Sequence, residues 1–96
     1  MNIFKSSFLI IGEGITFEYC SNFFKDNDII YYSTTTDDII DINNSEIICK
    51  KKKIDLDKVD YIVISPGIPP TNLVLQKLAL SGHKFTTDIE IIQNLS

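Results

Sequence analysis

The chain contains no arginine: all nine of its basic residues are lysines, set against thirteen acids for a net charge of -4. No guanidinium is therefore available to clamp a phosphate bidentately, and so acidic a chain is a poor partner for nucleic acid. Its two cysteines, Cys20 and Cys49, lie too far apart for any CxxC or zinc spacing and read as reduced, buried thiols. The single histidine, His83, follows a glycine that ends a helix and reads as a solvated loop residue. No GxxxxGK[ST] stretch occurs, which excludes a P-loop. The longest unbroken apolar run, Phe8 to Ile11, falls far short of the roughly 20 residues of a membrane helix, and no basic-then-apolar leader precedes it. The expectation is a soluble, cytoplasmic protein with no membrane and no nucleic-acid partner.

What is present is a globular composition. Of the 96 residues 44% are hydrophobic, too many for a disordered chain, and the length suits one domain over residues 1–96. Ser7 to Ile11 reads as a strand buried on both faces, ending in Gly12-Glu13-Gly14. Ile15, Tyr19, Cys20, Phe23 and Phe24 recur at helical spacing up to a stop at Lys25-Asp26-Asn27. A second strand follows from Ile29 to Tyr32, closed by Ser33 to Thr36, which completes a βαβ unit.

Residues 33–58 show no clean period; Glu46 to Cys49 is the best strand there, and the Lys50 to Lys53 run reads as a solvated loop among aspartates, or less readily as a phosphate contact. Val59 to Ser65 is a fourth strand running into Pro66-Gly67-Ile68-Pro69-Pro70, which neither a helix nor a central strand absorbs. Asn72 caps a helix with Leu75, Leu78 and Ala79 on one face, ending at Gly82. Lys84 to Thr86 makes a fifth strand. Thr87-Asp88-Ile89-Glu90 is a capping box opening a helix with apolar positions Ile89, Ile92 and Leu95, still recurring where the chain stops, as in a piece of a longer protein. The expected fold class is α/β, a Rossmann-like open parallel sheet of about five strands with helices on both faces.

In such a sheet the carboxyl edge of the strands holds ligands, and two glycine-bearing bends fall there. The first, Gly12-Glu13-Gly14-Ile15-Thr16, precedes a helix N-terminus, so the amides of Ile15 and Thr16 and the Thr16 hydroxyl are placed for a diphosphate; it also reads as a bare tight turn. A dinucleotide fingerprint is incomplete: Phe17 stands where a third glycine is wanted, and Asp37 and Asp38 come later than the ribose-binding acid. The second bend is Ile64-Ser65-Pro66-Gly67-Ile68-Pro69. Glu13 and Glu18 lie near the first bend without the fixed spacing of an acid-base pair.

Taken in order, the GxGxT turn, the SPGI loop, the alanine- and leucine-bearing helix ending in Gly82 and the tail Asp88-Ile89-Glu90 resemble the N-terminal domain of the Mur ligases. Within that family the similarity is greatest to the D-glutamate-adding branch. It spans nearly the whole chain, strongest from Asp60 to Ile92 and absent in the middle. The resemblance implies a domain that binds UDP-N-acetylmuramoyl-L-alanine in peptidoglycan synthesis. The diphosphate would lie on Gly14, Ile15 and Thr16, the uracil at Ser33 and Thr34, and Gly67 would face the diphosphate and sugar. Ser33 stands where the family usually has Asp, and Leu73 where a proline often starts the helix. ATP and magnesium are implied for a parent enzyme whose remaining domains act in cis; these 96 residues by themselves would bind without catalysing and need no cofactor. Two other readings stay open: an L-alanine-adding Mur ligase, and a stand-alone nucleotide- or dinucleotide-sensing module.

Overall fold

The computed structural model describes residues 2–87 and 90–91. Its centre is β1 (Phe8–Ile11), whose four side chains are all buried. Such a strand needs cover on both faces, and it has it. Phe8 and Ile10 join Cys20, Phe24 and Val63 in one apolar cluster; Leu9 and Ile11 join Ile47, Ile62 and Leu78 in the other. The alternation is the period-two rule of a strand applied to a core on each side.

Helix α1 (Ile15–Asp26) follows, then β2 (Tyr31–Thr34). The buried stripe of α1 is Phe17, Cys20, Ser21 and Phe24, with Phe23 packed beside it, spaced three and four residues apart. Ile15 and Tyr19, expected on that stripe, are exposed, because they lie on the other side of the helix, nearly half a turn round from the stripe's centre. Phe24 stacks on Phe8 with ring centroids 4.6 Å apart. The helix closes where the Asn27 amide side chain donates to the Phe23 carbonyl, and Asp28 takes a φ of 54°. The Ile29 amide still bonds to the Phe24 carbonyl, so the second strand begins two residues later than its apolar run and reaches Thr34.

Beyond β2 the chain departs from the expected sheet. β3 (Ile39–Ile42), β4 (Glu46–Cys49) and β5 (Lys53–Asp55) form a separate antiparallel sheet in the order β3-β4-β5. The strand anticipated at Glu46 to Cys49 exists, but it is not a member of the parallel sheet. The connections decide this. Asn43 accepts the amides of Ser45 and Glu46 through its Oδ1, and the Cys49 amide donates to the Lys52 carbonyl at 2.8 Å, so each link is a tight three-residue turn. Only antiparallel neighbours can be joined so briefly; a parallel pair needs a crossover of a dozen or more residues.

The chain then returns through β6 (Tyr61–Ile64), α2 (Leu73–Leu80) and β7 (Lys84–Thr86). Among the described residues the parallel sheet therefore has four strands, not about five, in the order β2-β1-β6-β7. β1 pairs with β2 and β6 in parallel, with Ile11 opposite both Thr34 and Ile64. Helix α2 begins at Asn72, whose side chain accepts the Val74 amide at 2.9 Å, and ends before Gly82 at a φ of 83°, both as the sequence implies. Its inward residues are Val74 and Leu78; Ala79 is exposed. Helix α1 lies in the apolar cluster on one face of the sheet, while α2 and the antiparallel strands share the cluster on the other.

Cys20 and Cys49 are buried in different clusters and are not bridged. His83 is half-buried rather than solvated, with Nδ1 2.7 Å from the Ser81 hydroxyl and Nε2 3.4 Å from the Leu56 carbonyl. Where the last helix is expected, Thr87 Oγ1 accepts the Glu90 amide, and Ile91 is buried; Asp88, Ile89, Ile92 and Leu95 lie outside the described residues. Among the described residues no helix is long and apolar enough to cross a membrane.

Candidate functional site

The carboxyl edge of the parallel sheet is drawn together around the end of β1. The Gly12 amide donates to the Thr34 carbonyl of β2 at 3.0 Å, and the Ser65 amide after β6 donates to the Ile11 carbonyl at 3.0 Å. Gly12 has a φ of 132°, and a Cβ on it would sit 2.3 Å from the Cβ of Ser65. The two bends singled out in the sequence thus touch, and glycine is needed at their contact for both space and conformation.

Gly14 is the N-cap residue of α1, at φ 82° and ψ -147°, and no side chain caps the helix there. The first turn, containing Ile15 and Thr16, presents backbone amides at the positive end of the helix dipole. Gly14 is exposed, and Ile15 is 86% exposed, an unusual setting for an isoleucine. Gly67 is exposed as well, with nothing within 4 Å of where its Cβ would be.

Beside this edge lies a cavity of about 500 Å³. Gly12, Glu13 and Phe17 line it from the first bend and α1; Ser33, Thr34 and Thr35 line it from the end of β2. The rest of its wall belongs to the antiparallel sheet and the segment leading to it: Asp38, Cys49 and the turn Lys50 to Lys52. Of the residues named in advance, Ser33 and Thr34 are on the cavity. Gly14 and Ile15 continue directly from its lining residues without lining it themselves, and Gly67 sits apart on the loop after Ser65. The Thr34 hydroxyl is buried against the cavity floor, 3.4 Å from both Cys49 Sγ and the Thr35 carbonyl. The Lys52 ammonium donates to the Ser33 carbonyl, so the two sheets are stitched together at the end of β2.

The sequence offers the lysine run only as a less ready phosphate contact and weighs Asp38 and Phe17 only against a dinucleotide fingerprint, and nothing in it places Cys49 at this site. The lysine run was visible as a charge cluster, but only the tight turn after β4 folds it back onto β2. Phe17 was read as an obstacle to a third-glycine approach; it packs against the α1 cluster and also walls the cavity. Chemically the lining brings together three lysines, two acidic residues (Glu13 and Asp38), the hydroxyl-bearing end of β2 and one aromatic residue, beside the first turn of α1, a set suited to a polar anionic molecule. Among the described residues no group of three or more His, Cys, Asp or Glu side chains is placed to hold a metal ion. No protein-family model matches the chain, and a search of curated proteins finds no match either.

Proposed function

We propose that this chain is the Rossmann-like substrate-binding domain of a cytoplasmic Mur ligase, binding UDP-N-acetylmuramoyl-L-alanine for the addition of D-glutamate in peptidoglycan synthesis. The observation that supports it most is the contact between the Gly12 bend and Ser65 at the carboxyl edge, where the sheet order β2-β1-β6-β7 reverses direction. Open α/β sheets bind nucleotides at such a reversal, in the crevice outside the strand ends. In this reading the first turn of α1 receives the diphosphate through its amides, the cavity beside Ser33 and Thr34 receives the uridine, and the Gly67 loop faces the sugar. The resemblance implies ATP and magnesium for the ligation itself. The sequence contains no P-loop, and these residues are proposed to bind the substrate on which the parent enzyme's other domains act.

Amide NMR of the isotopically labelled chain tests the reading. UDP-N-acetylmuramoyl-L-alanine, and more weakly UDP, should shift Gly14 to Thr16, Ser33, Thr34 and Gly67, while NADH should leave them in place. Because Asp38 lines the cavity and an acid near β2 is what a dinucleotide ribose needs, the NADH arm is a real competitor. Shifts with NADH and none with the UDP compounds would replace this function with dinucleotide sensing.

A further inference from the structure

We propose that the turn Lys50 to Lys52 is an anion clamp, holding the diphosphate of the bound nucleotide from the cavity wall that the antiparallel sheet supplies. The inference rests on the proposed function, in which the uridine lies in this cavity and the diphosphate on the adjoining first turn of α1, and it adds a cationic element to a site whose other phosphate donors are backbone amides.

Three observations carry it. First, three of the chain's nine basic residues fall in one turn and line one cavity, whose lining includes two acidic residues, Glu13 and Asp38. The cavity wall is therefore net positive in a chain whose net charge is -4. Second, the turn is held in place. The Cys49 amide closes it on the Lys52 carbonyl at 2.8 Å, and the Lys50 amide donates to the Asp38 carbonyl at 3.0 Å. Third, the Lys52 ammonium does not trail into solvent but donates to the Ser33 carbonyl at the tip of β2. An ammonium has three donors, so two remain for a ligand lying against that strand end. A lysine is a compact point charge suited to a phosphate when no bidentate guanidinium is present, and this chain has no arginine to compete for the role.

The test compares UDP, uridine and inorganic pyrophosphate on the wild-type chain, on Lys50→Gln/Lys51→Gln and on Lys25→Gln/Lys84→Gln. The last pair changes net charge equally at residues off the cavity. Lys52 is left intact in the first variant so that its bond to Ser33 is kept. The clamp predicts a loss of about tenfold or more in UDP affinity for Lys50→Gln/Lys51→Gln, the scale of one charge-assisted hydrogen bond, with uridine and the control pair unchanged. It also predicts that pyrophosphate shifts the Lys50 to Lys52 amides of the wild-type chain, a readout that needs no variant to fold. UDP bound equally by wild type and Lys50→Gln/Lys51→Gln overturns the clamp and leaves the proposed function standing. Pyrophosphate shifting the turn while the UDP compounds do not bind overturns both the function and the nucleotide clamp, leaving the turn as a site for a free anion. Binding of neither overturns both.

Discussion

Replacing Gly12 with alanine should be the most damaging single-methyl change on the carboxyl edge. Two costs coincide there. A φ of 132° is a conformation that side-chain-bearing residues rarely adopt, worth about 1–3 kcal/mol of backbone strain. The new Cβ would also lie 2.3 Å from Ser65 Cβ, so β1 and β6 must separate at their ends, an overpacking cost of about 1–3 kcal/mol. Together these make about 2–6 kcal/mol, a large part of the 5–15 kcal/mol that is typical of a small domain. A fall in Tm of about 10 °C or more follows, at about 4–8 °C per kcal/mol for a chain of this size. Thermal unfolding followed by circular dichroism reads it directly. The comparison series makes the reasoning refutable. Gly14→Ala meets no neighbour within 4 Å and bears only the backbone cost of its φ of 82°. Gly67→Ala bears neither and should stay within about 0.5 kcal/mol of wild type. Adding Ser65→Gly to Gly12→Ala removes the offending Cβ and leaves Ser65 Cα at 3.5 Å, an ordinary contact. The double-mutant cycle should therefore return about 1–3 kcal/mol of coupling. A Gly12→Ala chain as stable as Gly67→Ala, or a cycle with no coupling, would show that the two bends do not press on each other.

Two further outcomes are expected. Asn72→Ala removes the acceptor of the Val74 amide and should cost about 1 kcal/mol in urea unfolding, with Asn72→Asp retaining most of the stability because a carboxylate caps as well. Iodoacetamide should label Cys49, which lines the cavity at 7% exposure, faster than Cys20 at 1%, and UDP should slow labelling of Cys49 alone; mass spectrometry of tryptic peptides gives both rates.

The residues whose structure was readable in advance are those whose neighbours in sequence are also their determinants. Phe8 to Ile11 is apolar at every position, and only a strand covered on both faces uses such a run. Asn72 and Gly82 bracket α2 because a side-chain acceptor and a left-handed backbone act within one turn of chain. Which helical residues face inward was less legible: Ile15 is as apolar as Phe17 and Tyr19 is largely so, and only the direction in which α1 lies on the sheet separates them. The middle of the chain was opaque for a different reason. Strands of three or four residues, joined by three-residue turns, are too short for either a helical or a strand period to emerge.

For the candidate site, local sequence determined the two glycine bends and the helix that starts at the first, whereas the strands end at Thr34 and Ile64 rather than at the Tyr32 and Ser65 that the apolar runs imply. Tertiary structure alone decided that Gly12 and Ser65 touch, since they are distant along the chain and meet only when β1 and β6 pair. It likewise decided that a lysine run indistinguishable from a solvated loop is folded onto the end of β2. The physical reason is range. Backbone conformation and capping are set by a few adjacent residues, whereas the electrostatic character of a cavity depends on which distant segments the burial of Ile47, Ile54 and Leu9 in one core forces to lie side by side.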